Sequence, residues 1–415
     1  MSVFLHRWLR ICLLNLLLVS ILGLILRYKI AFYLPLVDQK YLLHSHSHFA
    51  FSGWITQALM VLLVQYLSNQ HGEWILRKYR WLLYANLLTA YGMLVSFVLQ
   101  GYAFYSISFS TLSIVVSYIF AIFCWRDLNL SKNKVSSWWI KAGLVFSVLS
   151  SIGAFGLAYM MANKIVSQDL YFGAIYFFLH FQYNGWFLFA GLGLLTTLLE
   201  KIPGSYRVLK AVFLLFCLAC VPAYLLSVLW LKPGVVVSGI LLVVVLAQLF
   251  GWILLLNLAI KNKHFLQEHF SKFGRILLLL AAIAFSIKLI LQAGSVHPAL
   301  SQLAYGFRPI IIGYLHLVLL AVTSLFLLGY IVALRMIALS TLLTTGLLIF
   351  VAGVIINELL LMAQGLAAFT YTSLPHITHF LLGAAFVLVT GCAIMFIAAS
   401  KQVAANSHSP LPAAN

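Results

Sequence analysis

Acidic residues are almost missing from this sequence. Seven Asp and Glu stand among 415 residues, and all charged residues together make up 8%. A water-soluble domain of this length could not cover itself with so little polar surface, since soluble domains carry about 25% charged residues. The seven, Asp38, Glu73, Asp127, Asp169, Glu200, Glu268 and Glu358, fall in expected loops or at the ends of apolar runs. Proton pumps place carboxylates mid-membrane, so a carboxylate relay is excluded by this reading. Cysteine is scarce as well: Cys12, Cys124, Cys217, Cys220 and Cys392 all lie in or at the ends of apolar runs. Cys217 and Cys220 have redox-pair spacing but stand mid-helix without a second pair, and they read as packing. Pro222 is the only proline well inside an apolar run.

What is present is hydrophobic. Such residues make up 64% of the chain, and the mean hydropathy is +1.07. Apolar runs of about 20 residues recur throughout, the length that crosses a hydrocarbon core of about 30 Å. Alternation over about ten residues, the mark of a membrane barrel, does not occur. The expected fold is an all-α polytopic membrane protein with twelve spans, near 8–27, 41–67, 81–101, 105–125, 138–162, 170–199, 211–230, 234–260, 275–292, 309–334, 336–357 and 376–399. They form one domain over 1–400, followed by a short, polar, disordered tail over 401–415. The first run, Leu9–Leu26, is too long for a signal-peptide core and is read as a retained span.

A formal net charge of +18 would point to nucleic acid in a soluble protein. Here the positive-inside rule accounts for it, and no nucleic-acid partner is expected. With the N-terminus inside, eighteen Lys and Arg fall on the cytoplasmic side and seven, Lys288 among them, on the other. The expected location is a bacterial-type inner membrane, with the lipid bilayer as partner and both termini cytoplasmic.

Histidine is where the chain repeats itself. His48-Phe49-Ala50-Phe51-Ser52-Gly53-Trp54 returns as His180-Phe181-Gln182-Tyr183-Asn184-Gly185-Trp186, and a looser third copy begins at His316. His44, His46 and His48 open the second span, His376 and His379 open the twelfth, and all seven belong to the outer half of the membrane. A histidine inside a bilayer is costly unless paired, metal-bound or facing a polar cavity. Neutral imidazole is also a common ligand for iron, copper and zinc. For any one histidine, a bond to a backbone carbonyl is the plainer reading. For the repeated motif taken together, ligation is favoured. Gly53 and Gly185 leave room for a flat ligand or a close helix, and Trp54, Trp186 and Phe49 could wall an apolar slot. Gln57, Gln182, Tyr183 and Asn184 are candidates for hydrogen bonds to the ligating histidines.

In these residues the chain resembles subunit I of the haem–copper oxidase superfamily, including its nitric oxide reductase branch and the divergent NnrS-like proteins. The resemblance implies twelve helices in three arcs of four with pseudo-threefold symmetry. It implies a haem, b-type, held by one of His44, His46 and His48 and by His316. His180 would stand at the place of a ligand to a second metal, copper or non-haem iron. The chain departs from the pattern in places. Span 7 has no histidine, span 10 has only His316, and Asn184 occupies the position of the oxidase tyrosine. The full copper ligand set is therefore missing, and His376 and His379 are the additional metal-ligand candidates.

The expected function is a haem-binding membrane protein for electron transfer or for oxygen or nitric oxide chemistry, with an electron-donor subunit or cytochrome as partner. If catalytic, it would be an oxidoreductase of this type. The alternative is a transporter or chaperone that captures a metal or haem on its outer histidines.

Overall fold

In the computed structural model, residues 3–130, 134–232 and 234–408 are described. All regular structure among them is helical. Eleven helices among the described residues are long and apolar enough to cross a membrane. The chain is a multi-pass, all-α integral membrane protein. The eleven are Phe4–Ala31, Gln39–His71, Trp74–Gln100, Phe104–Asn129, Val135–Ala162, Tyr206–Leu231, Val235–Lys261, Lys272–Gly294, Arg308–Ala333, Thr341–Phe369 and Ile377–Ala404. The expected sixth span is a continuous helical run over 168–199. It is not one of the eleven, because His180, Gln182 and Asn184 sit at its middle.

Three expectations need correction. Glu358 was expected to close a span, but it stands inside helix Thr341–Phe369 beside the buried Asn357, whose amide donates to its carboxylate at 3.2 Å. The apolar stretch after it, Leu359-Leu360-Leu361-Met362, carries the helix onward. Lys288 was counted as an outer flanking charge, yet it is 2% exposed within helix Lys272–Gly294. The last helix runs past Lys401 to His408, so the expected tail begins as helix. Its remainder, 409–415, lies outside the described residues.

The residues group into two compact units. One comprises Met1–Ser113, Ile331–Leu361 and Leu374–Asn415, and the other Ile114–Tyr330 and Met362–Ser373. In the first unit, helix Thr341–Phe369 lies so close to helix 377–408 that glycines take the contact points. An added Cβ at Gly346 would meet the Met395 backbone N at 2.9 Å, and one at Gly391 the Phe350 backbone N at 2.6 Å. Lipid supplies no hydrophobic drive between helices, and such small-residue contacts let backbones approach and dispersion act.

In the second unit, Glu200 ends the 168–199 run and starts its neighbour. Its two carboxylate oxygens accept from the Ser136 backbone N–H and hydroxyl, each at 2.8 Å. A helix begins with N–H groups that have no internal partner, so this carboxylate caps Val135–Ala162 from another helix. Glu200→Ala should cost about 0.5–2 kcal/mol, the range for a lost cap. A shift of the detergent-solubilised thermal transition would show it, and an unchanged midpoint would rule the cap out.

Candidate functional site

Three of the four helices that carry these histidines change their winding at a histidine. The helix from Gln39 is α-helical through Phe49, then π-helical over Ala50–Thr56. The 168–199 run is α-helical to His180 and π-helical over Phe181–Phe187. The helix from Arg308 is α-helical to His316 and π-helical over Leu317–Ser324. π-Helical turns are rare and frequent at functional sites. Here the same device recurs after His48, His180 and His316. The third segment has no glycine, so glycine is not what makes it.

A π turn displaces backbone carbonyls from the α ladder, and something must bond them. In the first unit, the Asn15 amide donates to the Gly53 carbonyl at 2.5 Å and the Asn86 amide to the Ser52 carbonyl at 3.1 Å. The Asn86 amide also donates to Gln57 Oε1 at 2.7 Å. Asn15, Asn86 and Gln57 are all buried. In the third segment, the hydroxyls of Thr323 and Ser324 fold back on the carbonyls of Val318 and Leu319, each at 2.8 Å.

The histidines of the first unit differ from one another. His46 Nδ1 lies 3.1 Å from the Val19 carbonyl, and His48 Nε2 lies 2.8 Å from the Tyr102 hydroxyl. The His48 ring also stacks on Phe97 at 4.4 Å. His44 lies edge-on to Tyr102 at 4.6 Å, and its Nε2 is buried with no hydrogen-bond partner. An orphaned, buried imidazole nitrogen is the atom an axial ligand presents. His376, at φ +57°, opens helix Ile377–His408. The rings of His376 and His379 are 5.9 Å apart and exposed, and His379 lies edge-on to Phe32.

In the second unit, His180 is 1% exposed. Its Nε2 donates to the Cys220 carbonyl at 2.9 Å, and its Nδ1 accepts from the Asn184 amide at 3.2 Å. Pro222 makes that carbonyl accessible. It begins a tightened 3-10 segment, in which the Tyr224 N–H bonds to Val221 rather than to Cys220. Both nitrogens of His180 are thus engaged within the protein, which is the carbonyl-bound arrangement rather than the ligating one. His316 Nδ1 donates to the Ile312 carbonyl at 2.8 Å. This puts the lone pair on Nε2, the tautomer common in metal-ligating histidines.

The other sequence candidates lie within or next to the first two π segments. Trp54 and Trp186 are each 2% exposed. The room beside Gly53 is filled by the Phe49 ring, and that beside Gly185 by Phe146, so neither glycine leaves a slot for a flat ligand. Gln182 donates to the Ser150 hydroxyl at 2.8 Å. Tyr183 and Asn184 line a cavity of about 110 Å³, and so do Val318, Val322 and Thr323 from the third π segment. Both π segments of this unit therefore face one cavity.

That cavity also holds Lys288, which the positive-inside count groups with the outer-side charges. Lys288 lines it, and its ammonium donates to Gln292 Oε1 at 2.5 Å. Gln292 in turn donates to Gln248 Oε1 at 2.6 Å, and all three residues are buried. The available signal was spacing: Lys288 and Gln292 are one turn apart and share a helix face. Among the described residues, no group of three or more His, Cys, Asp or Glu stands in a metal-holding arrangement. Compared with known protein families and with curated proteins, the chain matches none.

Proposed function

We propose that the protein is a membrane haem protein on a scaffold of the haem–copper oxidase subunit I type. The reading takes the 168–199 run as the twelfth span and three arcs of four helices as the arrangement. Both termini would be cytoplasmic, with the histidines toward the outer side of an inner membrane. The observation that carries it is the threefold recurrence of a histidine at the head of a π-helical segment. One such helix in every four is what a chain built from three related arcs would display.

Haem iron asks for one or two imidazoles, which suits these residues better than a three-ligand metal does. His44, with its orphaned Nε2, is the first axial candidate of its unit, and His46 is the second, its Nδ1 already set by the Val19 carbonyl. His316 is the candidate of the other unit, oriented by the Ile312 carbonyl. Phe97, stacked on His48, and Tyr102, edge-on to His44, hold the rings of the first group in place. His180 is left out of the ligand set, since both its nitrogens are bonded. Its part is to tie the 181–187 segment to the Cys220 turn. A bound haem would supply one-electron transfer and a site for oxygen or nitric oxide, with an electron-donor subunit or cytochrome as partner.

Protein purified in detergent from haem-replete cells should give a reduced-minus-oxidised spectrum with a sharp α band and a b-type pyridine haemochrome. His316→Ala should lose at least half of the bound haem, and so should His44→Ala or His46→Ala. His71→Ala, at a helix end, should retain it. A colourless, folded wild-type protein with no extractable haem would overturn the reading.

A further inference from the structure

We infer that the Lys288 cavity is a binding site for a small organic monocarboxylate. The inference does not rest on the haem reading. It starts from a charge that lacks its partner. Lys288 is 2% exposed in a membrane-spanning helix, and among the described residues its one hydrogen bond is to Gln292 Oε1. An ammonium has three donors, so two remain unspent. Among the described residues Lys288 makes no salt bridge, and the Phe285 ring lies 5.5 Å from its Nζ. A buried ionisable group in a bilayer is expensive to keep and marks a functional site by default.

The surroundings select the ligand. The lining is mostly apolar, with Phe187, Leu192, Trp252 and Phe326 among its walls, and Lys288 is its only charged residue. An inorganic anion would be desolvated there with only one cation to receive it. A carboxylate with a short hydrocarbon tail places its charge on Lys288 and its tail against the walls. The cavity, about 110 Å³, is smaller than the enclosed one of about 150 Å³ that holds benzene and is partly open, so a short carboxylate such as acetate or propionate fits within it. Gln292 accepts from the lysine and in turn donates to Gln248. Because Gln292 spends its amide on Gln248, its carbonyl must face the ammonium.

The site is also placed to be sensed. Tyr183 and Asn184 come from the π segment after His180, and Thr323 from the one after His316. A ligand on Lys288 therefore touches both segments that follow the histidines of this unit.

The test is titration of the purified full-length protein with sodium propionate, followed by calorimetry, with propionamide as the neutral molecule of the same shape. Wild type should bind propionate saturably and propionamide at least tenfold more weakly. Lys288→Met should weaken propionate at least tenfold. Should that variant not be recovered folded, Ala282→Phe fills the cavity while keeping the lysine, and it should abolish binding. No saturable propionate binding by wild type overturns the inference. So does a Lys288→Met or Ala282→Phe affinity within twofold of wild type, which is also how binding at a haem iron would read.

Discussion

Gly391→Ala should destabilise the protein by about 1–3 kcal/mol, the usual cost of forcing atoms into a packed interface. The same change at Gly383, on the same helix, should stabilise it by about 0.5–1 kcal/mol, since alanine is the better helix former. The difference is what each new methyl group meets. At Gly391 it would lie 2.6 Å from the backbone N of Phe350, 2.8 Å from its Cα and 2.9 Å from its Cβ. A side chain could turn away, but a helix backbone cannot. At Gly383 nothing lies within 4 Å. Gly346 and Gly353 make the reciprocal contacts, against Met395 and Leu388, so the helix pair has little freedom to slide. Unfolding in mixed micelles by graded addition of a denaturing detergent would measure both variants. Shifts of the same sign and size would refute a backbone-to-backbone contact here.

Asn86→Leu should cost more, about 2–5 kcal/mol. Its amide serves two buried acceptors, the Ser52 carbonyl and Gln57 Oε1. Each buried polar group left without a partner costs about 1–3 kcal/mol. Water would relieve that cost at a surface, but Asn86, Gln57 and Ser52 are all buried. Leucine keeps the branched skeleton of asparagine but is larger, so no cavity forms and the loss reports the hydrogen bonds together with some overpacking. The comparison variant is Asn69→Ala, which removes the exposed Gln65–Asn69 bond. It should stay within about 0.5 kcal/mol of wild type, as surface changes do. Equal losses at the two positions would mean that the first π segment does not depend on its asparagine support.

These contrasts show which properties a linear reading reaches. Helix positions were legible because apolar runs of spanning length have few other uses. Charge patterning was less reliable at run ends. Glu358 reads as a boundary because a carboxylate seldom continues a span, yet a further apolar turn follows it. Lys288 reads as an outer-side charge on the same ground, and only packing reveals its buried hydrogen-bond series through Gln292 and Gln248. The histidine motif was legible as a repeat, but its chemistry was not uniform. His180 is bonded at both nitrogens, while His44 keeps one orphaned. That difference depends on a carbonyl made accessible by Pro222, which lies forty-two positions along the chain from the histidine. The π segments left no mark in composition. One contains Gly and Trp with polar neighbours, and another is Leu-Val-Leu-Leu-Ala-Val-Thr-Ser.

A π turn holds one residue more than the α turn it replaces, and that surplus alters how the helix is indexed. One residue is about 100° of rotation and 1.5 Å of rise. Beyond each of the three segments, the side chains point where an uninterrupted α-helix would have pointed the residue before. Deleting a single residue from 50–56, 181–187 or 317–324 would shorten its helix by little but turn its far half by about a third of a revolution. Such helices are aligned correctly with one another only if each surplus residue is counted. A version of this chain with plain α-helices at these places would lack one residue just behind each of His48, His180 and His316.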